Sequence, residues 1–352
     1  MSLPVRTIWI SEMNADLLER NLWTDRYVPA VMKTDGRTAP VMLRYRGGHT
    51  REYPKRSYDI VRDGETYHYN AEFDDPSLIR NALSFAFFGM IGVPAPRTKH
   101  VLLRRNNENL GVYLEIESVG KRFFKKRGIG ASSLFYAVNE QANFSEISPD
   151  SGRSKSSMLA GYEFKFGSTD EKTRFERFLL GIHRTDPKET AAFIERHLDV
   201  DNYLRWLAGA VLTGNYDGFE QNYAVYRHTR SGKYRMIPWD YEGTWGRNCY
   251  GQIVDSDTVS VTGHNRLTEK LLKHRNYRRE YGGILRDALK GPFTERKMMP
   301  IADRMLSKVA PYMKKYVEDR WTYDDFLCES DLIRKYIRER RSIVKRELEK
   351  RF

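Results

Sequence analysis

Short stretches of alternating apolar and polar residues mark the first third of the chain, as expected for half-buried β-strands. They predict strands over residues 39–48 and 53–64, joined by a loop that holds a pair of glycines. Residues 99–105 and 110–119 flank the turn sequence NNEN and predict a β-hairpin. The beginning of the chain is therefore expected to be rich in β-structure.

One helix interrupts these strands. Apolar residues recur at helical spacing over residues 75–92. Asp75 can cap this helix and Pro76 can occupy its first position. Gly89 or Gly92 can end it, because glycine readily adopts the left-handed conformation found after helices.

Residues 128–160 are rich in serine and glycine and have little periodicity, which predicts a loop-rich connection. From about Ser168 the pattern becomes helical, and a helix over residues 199–215 is closed by Gly214. After residue 265 almost every segment has the pattern of an amphipathic helix.

This order of elements predicts an α+β fold with two lobes and a cleft between them. Residues 1–160 would form a small β-rich lobe with one helix and the loop-rich connection. Residues 161–352 would form a larger, mainly helical lobe.

Composition restricts the class of protein. With 352 residues, of which 40% are hydrophobic, the chain can bury a substantial core. It has no run of about 18 apolar residues, so no membrane span is expected. The first twenty residues lack the apolar segment of a secretory signal. Cys249 and Cys328 match no metal-binding spacing, which indicates a reducing compartment such as the cytoplasm.

The net charge of +13 favours anionic partners, which include nucleotides, nucleic acid and acidic or phosphorylated proteins. Basic residues are concentrated at 121–127 and 334–351. The simpler interpretation of both runs is a solvated helix face, because charge runs more often solvate a helix than bind a partner.

The segment GNYDGFEQNYAVYR, residues 214–227, carries the candidate chemistry. Asp217 lies in a loop after a helix, and a strand begins near Asn222. A turn and a returning strand then end at Asp240. If His228 pairs with the residue that opens the returning strand, Asn222 and Asp240 meet at the open end of the hairpin, where the Asp217 loop also enters.

Convergent oxygen ligands suit Mg²⁺, which normally takes one or two carboxylates together with phosphate and water oxygens. Asp240 would be a charged ligand and Asn222 a neutral one, while Asp217 would orient or deprotonate a substrate hydroxyl. Protein kinases divide the work in this way, with four residues between the catalytic aspartate and the metal-binding asparagine. The same spacing in this chain is weak evidence alone, since an Asx-turn capping a hairpin would also produce it.

Two departures exclude an ordinary eukaryotic-type kinase. Asn215 and Tyr216 precede Asp217 in place of the usual His-Arg pair, and the loop RGGHT lacks the G-x-G-x-x-G pattern. These departures do not exclude kinase-like chemistry.

Nucleotide binding also requires a cation for the phosphates. Lys55 follows the Gly47–Gly48 loop, as the phosphate-binding lysine of kinases does, although an exposed lysine at a strand edge is as good an interpretation. Arg56 competes with Lys55 for this role, and Arg46 is a further candidate.

Two further residues are candidates for the nucleotide site. Glu117 is an acid in an apolar strand that could pair with Lys55, or it could be a surface acid. Trp245 could stack on adenine or pack in the core, where aromatic residues are more often found.

Five segments between about residues 40 and 250 resemble, in the same order, the CotH family of bacterial spore coat protein kinases. The segments are YRGGHTREYPKRSYDI, DPSLIRNALSFAFFGMIGVPAPRTKHVLL, LGVYLEIESVGKRFF, GNYDGFEQNYAVYR and MIPWDYEGTWGR. The resemblance implies an atypical protein-kinase-like fold of two lobes. It also implies that Asp217 is the catalytic acid–base residue and that Asn222 and Asp240 bind metal.

The resemblance further implies the use of ATP with Mg²⁺ or Mn²⁺. The expected acceptors are serine residues, with threonine second, of serine-rich spore coat proteins and of the protein itself. The expected location is the mother-cell cytoplasm and the spore coat, with no membrane and no nucleic acid as partner. Gly48, His49 and Thr50 differ from the asparagine and serine that the family commonly has after its Arg-Gly.

Two alternatives stay open. A non-catalytic basic scaffold could bind coat protein or nucleic acid through the C-terminal helices. A metal-dependent transferase could instead act on a small molecule or transfer a nucleotidyl group. Metal-dependent nucleotide binding separates the first alternative from a kinase, and the mass of the modified product separates the second.

Overall fold

The computed structural model describes residues 2–186, 188–314 and 320–351, and its fold is α+β. The chain divides into two compact units. The first contains Met1–Ala82, Pro96–Ser118 and Pro300–Ser330, and the second contains Leu83–Ala95, Val119–Met299 and Asp331–Phe352. This division differs from the expected boundary after residue 160, because the chain enters the second unit earlier and later returns to the first.

The first unit contains a closed barrel with the strand order β1-β2-β3-β4-β5-β7-β6. Its strands pair antiparallel except for the parallel pair β1–β6, which closes the barrel. The strands are β1 Val5–Trp9, β2 Val28–Thr34, β3 Arg37–Arg46, β4 Ser57–Arg62, β5 Glu65–Asn70, β6 Thr98–Arg105 and β7 Glu108–Glu117. Helix α1, Glu12–Arg20, follows β1. The strands predicted at β3, β4, β6 and β7 are confirmed.

Helix α2, Arg80–Met90, begins later than the sequence suggested, and Asp75 has a different task. One Asp75 carboxylate oxygen accepts the main-chain N–H of Ser77, at 2.9 Å, and the other accepts that of Arg80, also at 2.9 Å. Leu78 adopts a left-handed conformation with φ 57°, so residues 75–79 form a turn ahead of the helix. The predicted cap at Asp75 and first-turn Pro76 are therefore wrong by one turn or more.

Arg80 is the reason for this turn. Its guanidinium is completely buried and forms ion pairs with Asp75, at 2.5 Å, and Glu329, at 2.6 Å. Both carboxylates are also completely buried. A buried charge is tolerated only with partners of this kind, so the local chain follows the geometry of the ion pairs.

The second unit contains a four-stranded sheet in the order β11-β10-β8-β9. The strands are β8 Ala131–Ala137, β9 Tyr162–Phe166, β10 Tyr223–His228 and β11 Tyr234–Pro238. This unit contains residues 83–90 of α2 and the whole of α3 Lys121–Lys126, α4 Thr169–Arg184, α5 Thr190–His197, α6 Val200–Thr213, α7 Arg266–Leu272 and α8 Arg275–Lys290.

Two long helices follow, α9 Glu295–Met313 and α10 Tyr323–Arg351. The last part of the helical pattern expected before α10 falls on residues 315–319, which lie outside the described residues. Within the part of the chain that the structure describes, no helix has the length and apolar character needed to cross a membrane.

Strand β8 corrects the expectation of a loop-rich connection over residues 128–160. Its residues 133–137 are buried, and the strand pairs with both β10 and β9. Ser133 donates a hydrogen bond to Glu171, at 3.0 Å, so the polar residue that weakens the strand pattern is satisfied inside the fold. Serine content alone therefore misidentified an internal strand.

Helix α6 agrees with its sequence pattern. The side chain of Asp199 accepts the N–H of Asn202, at 3.2 Å, and caps the start of the helix. Gly214 ends the helix with φ 74°. A side chain at this position would also collide with the hydroxyl of Tyr336. Both the backbone conformation and the lack of space therefore require glycine. The chain leaves α6 in a fixed direction, into the loop that holds Asp217.

Replacing Arg80 by alanine is expected to lower the free energy of unfolding by about 3–5 kcal/mol, because Asp75 and Glu329 then lose their shared counter-charge in the interior. Chemical denaturation followed by circular dichroism measures the change. Arg205→Ala is the matched control, since its ion pair with Asp201 is exposed and contributes about 0.3–0.5 kcal/mol. Equal losses in the two variants would contradict the importance of the buried ion pairs.

Candidate active site

The β10–β11 hairpin has the register that the sequence suggested. His228 donates its N–H to the carbonyl of Lys233, at 2.9 Å. At the other end of the hairpin, Trp239 donates to the carbonyl of Asn222, at 3.1 Å. Asn222 and Trp239 are thus neighbours across the hairpin, and Asp240 is the next residue along the chain.

Asn222 and Asp240 both adopt left-handed backbone conformations, with φ 59° and 56°. Only a few per cent of non-glycine residues do so, and asparagine and aspartate do so more readily than most. Such conformations concentrate at functional sites, where the surrounding structure holds them in place. The main chain of Asn222 is held by a hydrogen bond to the carbonyl of Ala137, at 3.1 Å.

Asp217 begins a short 3₁₀ turn, Asp217–Phe219, in the loop after α6. Asn215 joins this loop to the hairpin, because its side-chain amide donates to the main-chain carbonyl of Asp240, at 3.2 Å. Asn215 also packs against Gly218, where an added Cβ would lie only 2.8 Å from the amide nitrogen. The sequence drew attention to Asn215 only as a departure from the kinase pattern, and its linking role depends on the tertiary fold.

The Asp217 turn is also held from the side facing α7. Asn265 donates its amide to the carbonyl of Phe219, at 3.1 Å. Its side-chain oxygen accepts the N–H of Thr268, at 2.8 Å, and the hydroxyl of Tyr203, at 3.0 Å. Since Asn265 is buried, it fixes the turn relative to α6 and α7.

Cys249 lies beside Asp217. Burial, together with the negative charge of Asp217 and a hydrogen bond to it, raises the pKa of the Cys249 thiol to about 12. The backbone of Cys249 packs closely on Gly243, where an added Cβ would lie 2.9 Å from the Cys249 Cα. The thiol therefore stays protonated at neutral pH and can donate to the Asp217 carboxylate.

His264 contacts the same turn. Its ring lies 4.5 Å from that of Phe219 and 4.9 Å from that of Tyr216, between ring centroids. Burial lowers the pKa of His264, and the charge of Asp217 partly opposes this shift. Neither Cys249 nor His264 had a signal in the sequence, because each reaches Asp217 only through folding.

The donor set of Asn222 and Asp240 fits a magnesium ion. It offers one carboxylate and one amide oxygen, which leaves the other positions for phosphate and water oxygens. Across residues 2–186, 188–314 and 320–351, no cluster of three or more His, Cys, Asp or Glu side chains is suited to a metal. The assignment of Asn222 and Asp240 as ligands stays a prediction.

In the first unit, Lys55 and Arg56 have different surroundings. Lys55 lies in a bend just before β4, with its ammonium 5.2 Å from the centre of the Tyr113 ring. Arg56 forms an ion pair with Glu19, at 2.6 Å, and its guanidinium covers the Tyr45 ring. Both side chains therefore lie against aromatic rings of the barrel unit, and the assignment of Lys55 to phosphate stays a prediction.

Arg46 also has partners within the barrel. It forms an ion pair with Asp59, at 3.2 Å, and donates a hydrogen bond to Asn70. Burial alone would raise the pKa of Asp59, but His68 and the neighbouring arginines outweigh it and lower the pKa. Arg46 therefore stabilises the barrel, and a phosphate contact would be an additional role.

Glu117 is the last residue of β7, and one of its carboxylate oxygens accepts the N–H of Arg97, at 3.2 Å. Its pairing with Lys55 stays a prediction.

The Gly47–Gly48 loop leads into a 3₁₀ turn, His49–Glu52, and Gly47 has φ 107°. Arg51 closes this loop by donating to the carbonyl of Gly47, at 2.7 Å.

Trp245 lies in the core, so the suggestion that it stacks on adenine is corrected. The ring is completely buried. It stacks on Phe293 at 5.8 Å between ring centroids, and its indole N–H donates to Ser84, at 2.9 Å. A completely buried ring has no face available to a nucleotide.

With this α+β fold and site in view, the family is clear. Residues 43–344 match the family model described as CotH kinase protein. The chain belongs to the CotH family.

Two proteins of Bacillus subtilis (strain 168) are similar over much of the chain. The inner spore coat protein H is 36% identical over 354 residues, covering 99% of this chain and 98% of that protein. The inner spore coat protein H-like protein is 26% identical over 273 residues, covering 76% of each.

Two solved structures share a weaker likeness. The proinflammatory kinase CtkA of Helicobacter pylori has a TM-score of 0.30 at 12% identity, covering 78% of this chain and 94% of that one. HipA of Shewanella oneidensis MR-1, solved with HipB and operator DNA, has a TM-score of 0.32 at 11% identity. The match covers 80% of this chain and 58% of the HipA chain. At these TM-scores and sequence identities the similarity supports no conclusion about the function of this chain.

The raised pKa of Cys249 predicts slow alkylation. At pH 8 the Cys249 thiolate is scarce, so iodoacetamide should modify it more slowly than the exposed Cys328. Asp217→Asn removes one cause of the raised pKa and should accelerate the reaction, with about tenfold more thiolate for each unit by which the pKa falls. Alkylation rates followed by mass spectrometry test this, and an unchanged rate in Asp217→Asn would contradict the contact.

Proposed function

We propose that this protein is an ATP- and metal-dependent protein kinase. Its acceptors are serine residues, with threonine second, of spore coat proteins and of the protein itself. The observation that carries the proposal is the placement of Asp217, Asn222 and Asp240 at one end of a hairpin, tied together by Asn215. Membership of the CotH family supports the same function.

In this proposal Asp217 orients the acceptor hydroxyl and takes up its proton. A bond forms between the serine oxygen and the γ-phosphorus of ATP, the bond from that phosphorus to the β–γ bridging oxygen breaks, and ADP leaves. Asp240 and Asn222 would hold the metal, which would supply positive charge for the phosphate oxygens. The protonated Cys249 beside Asp217 is suited to keeping the carboxylate oriented.

Lys55 is assigned to ATP phosphate in the first unit, with Glu117 as its proposed partner. Arg46 is a secondary candidate, because its present partners are Asp59 and Asn70. The barrel fixes Lys55 through the bend before β4, where Tyr113 donates its hydroxyl to the neighbouring carbonyl of Arg56, at 2.9 Å.

A non-catalytic scaffold that binds nucleic acid is less well supported. Several cations of the basic run in α10 have acidic partners close to them. Arg338 pairs with Glu295 at 2.8 Å, and Arg351 pairs with Glu347 at 2.5 Å. Cations that already have acidic partners neutralise phosphates less effectively, so the run is better interpreted as a solvated helix face.

A metal-dependent transferase acting on small molecules, or a nucleotidyl transferase, would use the same three oxygen-bearing side chains. The product decides between these reactions, since phosphoryl transfer adds one phosphate and nucleotidyl transfer adds a nucleoside monophosphate. Incubation with ATP labelled at the γ-phosphate, Mg²⁺ and a serine-rich peptide, followed by mass spectrometry, is the test of the proposed function.

The proposed location is the mother-cell cytoplasm and then the spore coat. It rests on the similarity over nearly the whole chain to the inner spore coat protein H. Neither a membrane nor a nucleic acid is proposed as a partner.

Asp217→Asn is expected to lower the rate of phosphoryl transfer by about 10²–10⁴-fold while the fold is kept, because the amide cannot accept the proton. Transfer of labelled phosphate to the peptide and circular dichroism are measured together. Asp201→Asn, which changes an exposed acid on α6, is the control and should keep normal turnover. Near-normal turnover in Asp217→Asn would remove Asp217 from the catalytic role.

The metal ligands can be tested with a matched pair of variants, Asp240→Gly and Asn222→Gly. Glycine accepts the left-handed conformations at both positions, so each variant removes a side chain without adding strain. Asp240→Gly should abolish the Mg²⁺-dependent part of nucleotide affinity, and Asn222→Gly should weaken it less, since only Asp240 brings a full charge. Calorimetric titration with an ATP analogue, with and without Mg²⁺, measures both, and unchanged affinity in Asp240→Gly would refute the site.

A further inference from the structure

Serine recurs at every third position in the segment SEISPDSGRSKSS, residues 145–157, which also has one extra serine at 156. Part of the segment forms a short hairpin. Lys155 donates its N–H to the carbonyl of Glu146, and Ser148 donates to that of Arg153, both at 2.8 Å. Gly152, with φ 65°, completes the turn at the tip. The serines therefore lie in or directly beside a hydrogen-bonded hairpin of the second unit.

The serines of this hairpin differ in their surroundings. Ser148 accepts a hydrogen bond from the amide of Gln141, at 2.9 Å, and Ser157 donates to Glu176, also at 2.9 Å. Both are only partly exposed. The exposed serines at the tip and after it are Ser151, Ser154 and Ser156. These three present hydroxyls that another protein surface can reach.

The base of the hairpin is packed on the chain segment that carries the candidate site. Phe144 stacks on Tyr223, with ring centroids 5.6 Å apart and an angle of 6° between the planes. Tyr223 directly follows Asn222 and donates its hydroxyl to the carbonyl of Ala142. The hairpin is thus anchored at the strand that begins after the Asp217–Asn222 loop.

A lysine strengthens this anchor. Lys155 donates its ammonium to the side-chain oxygen of Asn143, at 2.8 Å, and to the carbonyl of Gln141. Burial lowers the pKa of Lys155 to about 8, and the negative charge of Glu220 opposes this shift. Glu220 also lies within electrostatic range of Asp217. The base of the serine hairpin and the Asp217 loop are therefore electrostatic neighbours.

We propose that Ser151, Ser154 and Ser156 are the sites at which this protein phosphorylates itself, an inference that rests on the proposed kinase function. In each transfer the serine oxygen bonds to the γ-phosphorus of ATP and ADP leaves, while Asp217 takes up the serine proton. Each phosphate adds about 1.5 to 2 negative charges to a hairpin that bears Arg153 and Lys155.

The test uses the full-length protein incubated with ATP and Mg²⁺, and phosphopeptide mapping by mass spectrometry locates the phosphate. The variant Ser151→Ala/Ser154→Ala/Ser156→Ala should lose nearly all self-incorporated phosphate. Its transfer to an added serine-rich peptide should stay within about twofold of normal, since exposed substitutions of this kind disturb a fold little. Asp217→Asn should incorporate phosphate about 10²–10⁴-fold more slowly, which excludes a contaminating kinase.

Ser231→Ala is the matched control, because Ser231 is also exposed in a hairpin turn and precedes a left-handed glycine, Gly232. It should incorporate phosphate normally. Phosphate found at other positions, with the triple variant unaffected, would overturn the assignment and leave the kinase proposal intact. Absence of transfer both to the protein and to the peptide would overturn both proposals. If the triple variant lost transfer both to itself and to the peptide, the phosphopeptide map of the unsubstituted protein would be used instead. Phosphate on Ser151, Ser154 and Ser156 in that map would support the assignment, and phosphate elsewhere would overturn it.

Discussion

The hydrogen bond from the Asn215 amide to the main-chain carbonyl of Asp240 is the constraint on which the candidate site depends. It joins the loop that leaves α6 to the end of the β10–β11 hairpin. A second link runs from the N–H of Trp245 to the carbonyl of Thr213, at 2.8 Å, so the end of α6 and the segment after the hairpin are held at two points. Asn265 fixes the same loop from the side of α7, through the carbonyl of Phe219. Catalytic geometry needs this kind of support, because small displacements of reacting groups cost large factors in rate.

The sequence predicted the elements whose stabilising contacts are local. The β10–β11 register followed from one tight turn between His228 and Lys233. Helix α6 followed from its cap at Asp199 and its end at Gly214. The three oxygen-bearing residues could be placed together because their positions depend on these two local structures. The spacing of Asp217 and Asn222 was informative only in that setting.

The sequence could not predict features that distant contacts create. Strand β8 was hidden because Ser133 is satisfied by Glu171, on a later helix. The start of α2 was misplaced because Arg80 pairs with Glu329, far along the chain. Cys249 reaches Asp217 only after the segment following β11 folds back over Gly243. In each case the structural role of a residue depends on a partner far away in the sequence, which no local pattern identifies.

The contribution of residues 300–330 to the first unit has a consequence for synthesis on the ribosome. Glu329 completes the ion pairs of Arg80, and Arg320 pairs with Asp74, at 2.7 Å. The seven barrel strands precede residue 118, yet their unit stays incomplete until residues 300–330 have been translated. Domains usually fold in the order in which they are made. Here a nascent chain arrested before residue 320 would hold all seven barrel strands, but Arg80 would lack Glu329 and Asp74 would lack Arg320.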